Sequence, residues 1–154
     1  MSKIEARLKD LGITLPSPNA PVANYVPYVV TGNLVFISGQ VTIAPDGLKF
    51  EGKLGADISL DDGKAAAKLC AVNLLAQLKA ACGGDLERVR RCVRLGVFVN
   101  ATPEFTQHPE VGNGASDLIV AALGDAGKHS RAATGAGSLP RGVAVEVDGV
   151  FEIA

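Results

Sequence analysis

Apolar and polar positions change period several times along the chain, and each change marks an element. Ile4, Leu8 and Leu11 recur at i, i+4 and i+7, with Gly12 as a stop, which predicts a short amphipathic helix from Ser2 to Leu11. After the turn-rich run Leu15 to Pro21, Val29-Val30 and Leu34 to Ser38 are β-branched and aromatic. The polar break Gly32-Asn33 between them fits a hairpin. Gln40 to Ile43 reads as a continuation of the strand, and Pro45-Asp46-Gly47 with Lys49 to Gly55 as an exposed loop. From Ser59 to Cys82 the period becomes 3.6. Ala67, Ala71, Leu74, Leu78 and Cys82 form one stripe, Ser59-x-x-Asp62 offers a cap, and Gly83-Gly84 closes the helix. Val93, Leu95, Val97 and Val99 then alternate with Arg94, Gly96, Phe98 and Asn100, the period of a strand with one buried face. A loop holding Pro103 and Pro109 leads to a second helix over about Ser116 to Leu123. An extended run from Ser130 to Gly137 follows, and Val143, Val145, Val147 and Phe151 alternate with Glu146, Asp148 and Glu152 in a closing strand.

This order predicts an α+β fold: a mixed β-sheet with two main helices packed on one face, plus a short N-terminal helix. No repeat or linker interrupts it, so residues 1–154 read as one domain with residues 1–14 as a helical extension. The sheet's other face, carrying Phe98 and Val41, then needs cover, which predicts a homo-oligomer.

Composition narrows the function classes. With 154 residues, 47% hydrophobic and 20% charged, the chain lies outside the disordered range. Lys and Arg number 15 against 16 Asp and Glu, so no basic field draws in nucleic acid or an anionic membrane. No membrane-length apolar run occurs, and the start, Met1 to Arg7, mixes both charges unlike a signal peptide; a cytoplasmic protein is expected. Cys70, Cys82 and Cys92 form no metal or redox spacing and read as reduced, buried thiols. Gly124 to Ser130 lacks the glycine spacing and hydroxyl of a phosphate loop, and Gly135-Ala136-Gly137 lacks the third glycine of a dinucleotide fold. His108 and His129 read as solvated loop histidines, so no metal site is expected.

Two polar residues beside strands remain. Arg131 follows a Gly-rich loop and precedes Ala132-Ala133-Thr134, small neighbours that leave its planar guanidinium room to meet a carboxylate bidentately. A surface salt bridge is the competing reading. Glu146, on the polar phase of the last strand, is either an exposed carboxylate or a group that orients water.

At these residues the chain resembles the RidA (YjgF) family of enamine and imine deaminases. The resemblance rests on Asn19-Ala20-Pro21, Tyr25-Val26, the run Gly32 to Val41 with its Ser38-Gly39-Gln40 element, the strand Val93 to Val99, and Arg131 spaced to Leu139-Pro140 and Glu146. It implies the trimeric, chorismate-mutase-like fold with sites between subunits. It also implies that Arg131 clamps a substrate carboxylate, Glu146 activates water, and Tyr25, Ser38, Gly39 and, by a looser spacing, Asn113 line the cleft. Tyr28 is the other tyrosine nearby. Common members carry a cysteine shortly after the arginine; here Ala132-Ala133-Thr134 stand there. With the longer loops at Asp46 to Gly55 and Thr102 to Gly112, this marks a divergent, longer branch.

The activity implied is hydrolysis of short 2-imino or enamine acids to 2-keto acids and ammonia, without cofactor. The rival is a non-catalytic module that binds or senses a small carboxylate in the same cleft. Endoribonuclease, a label attached to this family, finds no basic groove or stacking platform at net charge −1 and 5% aromatics.

Overall fold

The computed structural model describes residues 1–18 and 24–154; the motif Asn19-Ala20-Pro21 lies outside the described residues. The elements are α1 (Lys3–Asp10), β1 (Tyr28–Thr31), β2 (Leu34–Gln40), β3 (Ile43–Ala44), β4 (Gly47–Leu48), α2 (Leu60–Ala81), β5 (Val89–Asn100), α3 (His108–Leu123), β6 (Ser130–Ala136) and β7 (Val145–Ile153). Five strands form one sheet in the order β1-β2-β7-β5-β6, and β3 with β4 make a separate hairpin. Among the described strands of this sheet only β5 and β6 pair in parallel, because α3 carries the chain across between them. This is the mixed sheet with helices on one face that the alternation of periods predicts.

Strand periodicity decides which face the helices take. Val35 and Ile37 of β2, Leu95, Val97 and Val99 of β5, and Val145, Val147 and Phe151 of β7 are buried beneath α2 and α3. Facing them are Ala67, Ala71, Leu74 and Leu78 of α2 and Val111, Ala115 and Ile119 of α3. Each such fully buried Leu, Ile or Phe side chain contributes about 1.5–3 kcal/mol. The opposite face stays open: Val29, Phe36 and Phe98 are exposed there, two of the five phenylalanines in the chain.

Local signals set the helix ends. Ser2 and Glu5 close a reciprocal capping box on α1, whose Ile4 and Leu8 are buried. The Ser59 side chain accepts from the Asp62 N–H at the start of α2. α3, however, begins at His108 rather than near Ser116. Pro109 sits in the first turn, where its missing N–H leaves no bond unmade, and Gly112 and Gly114 let the helix lie close to its neighbours.

Two further expectations are corrected. β2 ends at Gln40 after a register shift between Ile37 and Gln40, and the chain leaves the sheet before β3. Asn73 of α2 donates to the carbonyls of Val41 and Ile43, replacing the ladder partners lost there. The segment after β4 is no simple exposed loop. Leu54 is fully buried, its N–H donates to Asn100 O, and Ala144 N–H donates to Phe50 O, which stitches the segment to the end of the sheet.

Candidate active site

Arg131 lies at the second position of β6, opposite Leu95 of β5. It therefore shares the face that the helices cover, and its guanidinium meets α3. Nη1 donates to Asn113 Oδ1 at 3.0 Å and to Ser116 Oγ at 3.1 Å, while Nη2 donates to the Pro109 carbonyl at 3.2 Å. Three of five N–H groups are thus engaged among the described residues. Nε–H and one Nη2–H are left, as many donors as a carboxylate accepts bidentately. Gly112 leaves room for this approach, since a Cβ there would stand 3.1 Å from Nη1 and push the guanidinium aside by a few tenths of an ångström. No carboxylate partners Arg131, so the salt-bridge reading fails among the described residues.

Glu146 is opposite Phe98, on the open face. Burial first, then the negative charge of Asp148, raises its carboxyl above the ordinary value. Asp148 is raised as well, by burial, with Arg94 at 3.7 Å pulling the other way. Gly39 faces the Glu146 carboxylate: a Cβ at that position would come within 2.8 Å of Oε2. Beside it, in the irregular stretch of β2, Ser38 donates to the Val26 carbonyl at 2.8 Å and so holds the segment carrying the exposed Tyr25 against the strand. Tyr28 is on β1, half-buried and packed against the core.

The candidate residues thus form two groups. Arg131 meets Asn113 on the helix side of the sheet, while Glu146, Gly39 and Ser38 gather at the open face with Tyr25 tethered nearby. Within one chain the sheet separates the two groups.

Neither histidine is simply solvated: both are half-buried, and only His129 lies in a loop, just ahead of β6. His108 opens α3 and packs edge-on against Phe105, with ring centroids 5.3 Å apart. His129 bonds to Ser116 and to the Gly127 carbonyl. Ser116 was missed as a site residue, although it follows Asn113 at i+3 and so shares its helix face once α3 is known to start at His108. The thiols of Cys70, Cys82 and Cys92 are free and buried, as the spacing predicts. No group of metal-ligating side chains gathers among the described residues. No helix among them is long and apolar enough to cross a membrane.

A mixed sheet with two helices on one face and a carboxylate beside a strand irregularity on the other defines the class: an α+β domain with the chorismate-mutase-like fold. The chain belongs to the YjgF family, whose model, described as "YjgF/chorismate mutase-like, putative endoribonuclease", matches residues 5–147. It is 46% identical over 152 residues to Protein TCP17 of Trypanosoma cruzi, covering 98% of this chain and 94% of that one. A protein of unknown function from Agrobacterium tumefaciens is 47% identical and superposes with a TM-score of 0.93 over 99% of this chain and 93% of its own. RidA from an Antarctic Psychrobacter is 26% identical, with a TM-score of 0.61 over 89% of this chain and 94% of its own. The fall from 0.93 to 0.61 agrees with a branch that diverges from the compact members.

Proposed function

We propose that the protein hydrolyses short 2-imino acids and their enamine tautomers: R–C(=NH)–COO⁻ and water give R–C(=O)–COO⁻ and NH₃. The observation that carries this reading is the tethered Arg131 guanidinium with two N–H groups left over. It would fix the carboxylate and so orient the imine carbon, an effect that reaches about 7–11 kcal/mol in ideal cases. Glu146, whose raised pKa brings it nearer neutrality, would orient the attacking water beside Gly39, take its proton, and return it to the departing nitrogen. Asn113 holds the arginine from α3, and Tyr25 and Ser38 would shape the mouth. No step needs a metal or organic cofactor.

Because the two groups lie on opposite faces, one site would take Arg131 from one copy and Glu146 from another. We therefore read the protein as a homotrimer with sites between subunits. The exposed Val29, Phe36 and Phe98 on the open face support burial against a second copy.

The test generates imino acids in situ with an amino-acid oxidase and measures ammonia and keto acid. Wild-type acceleration should vanish in Arg131→Ala and in Glu146→Gln. Co-refolding equal amounts of the two variants should restore activity to about a quarter of the sites, those pairing an intact arginine with an intact glutamate. Background rates for every protein, with keto acid still bound, would replace the deaminase with the carboxylate-binding module.

A further inference from the structure

We infer that His129, acting through Ser116, is a positioning residue that sets the orientation of the Arg131 guanidinium; its value for function rests on the carboxylate-clamp reading of Arg131. Three contacts run in series. His129 Nδ1 lies 2.5 Å from the Gly127 carbonyl oxygen, His129 Nε2 lies 2.9 Å from Ser116 Oγ, and Arg131 Nη1 lies 3.1 Å from the same Oγ.

The chemistry of each atom fixes the direction of the series. A carbonyl oxygen only accepts, so Nδ1 carries the proton, and in the neutral ring Nε2 is an acceptor. The Ser116 hydroxyl must then donate to Nε2. Its lone pairs are left for Arg131 Nη1, which donates to them. The carbonyl selects the tautomer, the tautomer sets the hydroxyl, and the hydroxyl sets one edge of the guanidinium plane.

Three separate elements supply the parts. Gly127 ends a short 3-10 turn, Gly124–Gly127; His129 and Arg131 flank Ser130 at the start of β6; and Ser116 comes from the middle of α3. Arg131's other side-chain partner, Asn113, is exposed, whereas Ser116 and His129 are half-buried. The relay is thus the inner anchor. It commits Nη1 inward, so that Nε–H and the remaining Nη2–H are presented to a ligand.

The test compares His129→Phe, which removes the acceptor but keeps a ring, His129→Gln, whose amide oxygen can accept in place of Nε2, Ser116→Ala, and the double variant His129→Phe/Ser116→Ala. Nitrogen-15 NMR of Arg131, identified by its absence in Arg131→Lys, reports rotation of the guanidinium. Wild type and His129→Gln should rotate slowly, and the other three should all be faster by roughly the same tenfold that one lost hydrogen bond to a charged group implies. Calorimetry with 2-oxobutanoate should show matching losses of affinity, again about tenfold, with no further loss in the double variant. Slow rotation persisting in His129→Phe, or a His129→Gln protein that folds but rotates as fast as His129→Phe, would overturn the relay. Slow rotation in a wild-type protein that binds no 2-oxobutanoate would overturn the clamp reading and leave the relay standing.

Discussion

Two glycines of α3, two residues apart, meet different obstacles, and replacing each by alanine separates packing from function. A Cβ on Gly114 would run into the Lys64 carbonyl oxygen of α2, with Lys64 C at 2.7 Å and Cα at 2.9 Å, where ordinary contact begins at 3.4 Å. Backbone cannot rotate aside, so the helices must part by more than 3.4 minus 2.7, about 0.7 Å, which the carbonyl carbon alone demands, because the oxygen lies nearer still. A gap of that size forfeits roughly a quarter to a half of each local dispersion contact. Because the obstacle is backbone, the overpacking falls in the upper part of the usual range, about 2–3 kcal/mol, offset by about 1 kcal/mol of helix propensity gained. Gly114→Ala should therefore lose about 1–2 kcal/mol and melt roughly 2–8 °C lower at fixed protein concentration. The Cβ of Gly112→Ala meets instead the far end of Arg131, 3.1 Å from Nη1, which can give by a few tenths of an ångström. That variant should melt no lower than wild type yet bind keto acid more weakly. A Gly114→Ala protein as stable as wild type would refute the claim that backbone contact sets the α2–α3 distance.

Glu146→Gln should be more stable than wild type at neutral pH. The folded carboxyl is raised by burial and then by Asp148, so its contribution to stability is complete below the unfolded pKa and is lost as pH rises through the folded one. Denaturant midpoints should show the gap closing toward about pH 4, and a variant no more stable at about pH 7 would discard the burial argument. Leu8→Ala, at a side chain only 2% exposed, should cost about 2–3 kcal/mol, with hydrogen exchange accelerating first in α1. Burial raises the Cys70 and Cys82 thiols and pushes Cys92 up to about 12. A colorimetric disulfide reagent should thus react slowly with the native protein and find three thiols only after unfolding; a fast native reaction would show that the buried thiols are accessible.

Strand phase was the most legible property of the chain. The alternation around Leu95, Val97 and Val99 and again around Val145 and Val147 names the buried face correctly, because one covered face forces period two. Ser59 and Gly83-Gly84 bound α2 well, since caps act locally. The first two turns of α3 were hidden because Pro109, Gly112 and Gly114 carry loop signals, and only packing against Lys64 and Arg131 explains them. For the same reason Arg131 and Glu146 stand out in the sequence while their separation by the sheet does not. The phase of β6 is fixed by its parallel pairing with β5, which neither residue's neighbours reveal. The contact between Ser116 and His129 is not legible in the sequence, because it depends on that register and on the full length of α3.

The place of β7 in the sheet bears on how the chain is made. It is the last strand in sequence, yet it lies between β2 and β5 and pairs with both. The β1–β2 hairpin and the β5–β6 pair both precede residues 145–153 in the chain. Without β7 each exposes an unsatisfied inner edge, and Val35, Val97 and their neighbours lack the side chains that seal them. A nascent chain stalled before residue 145 is therefore two sticky half-sheets, the kind of intermediate that binds chaperones or aggregates. Both edges are closed only by β7, which pairs with β2 on one side and β5 on the other.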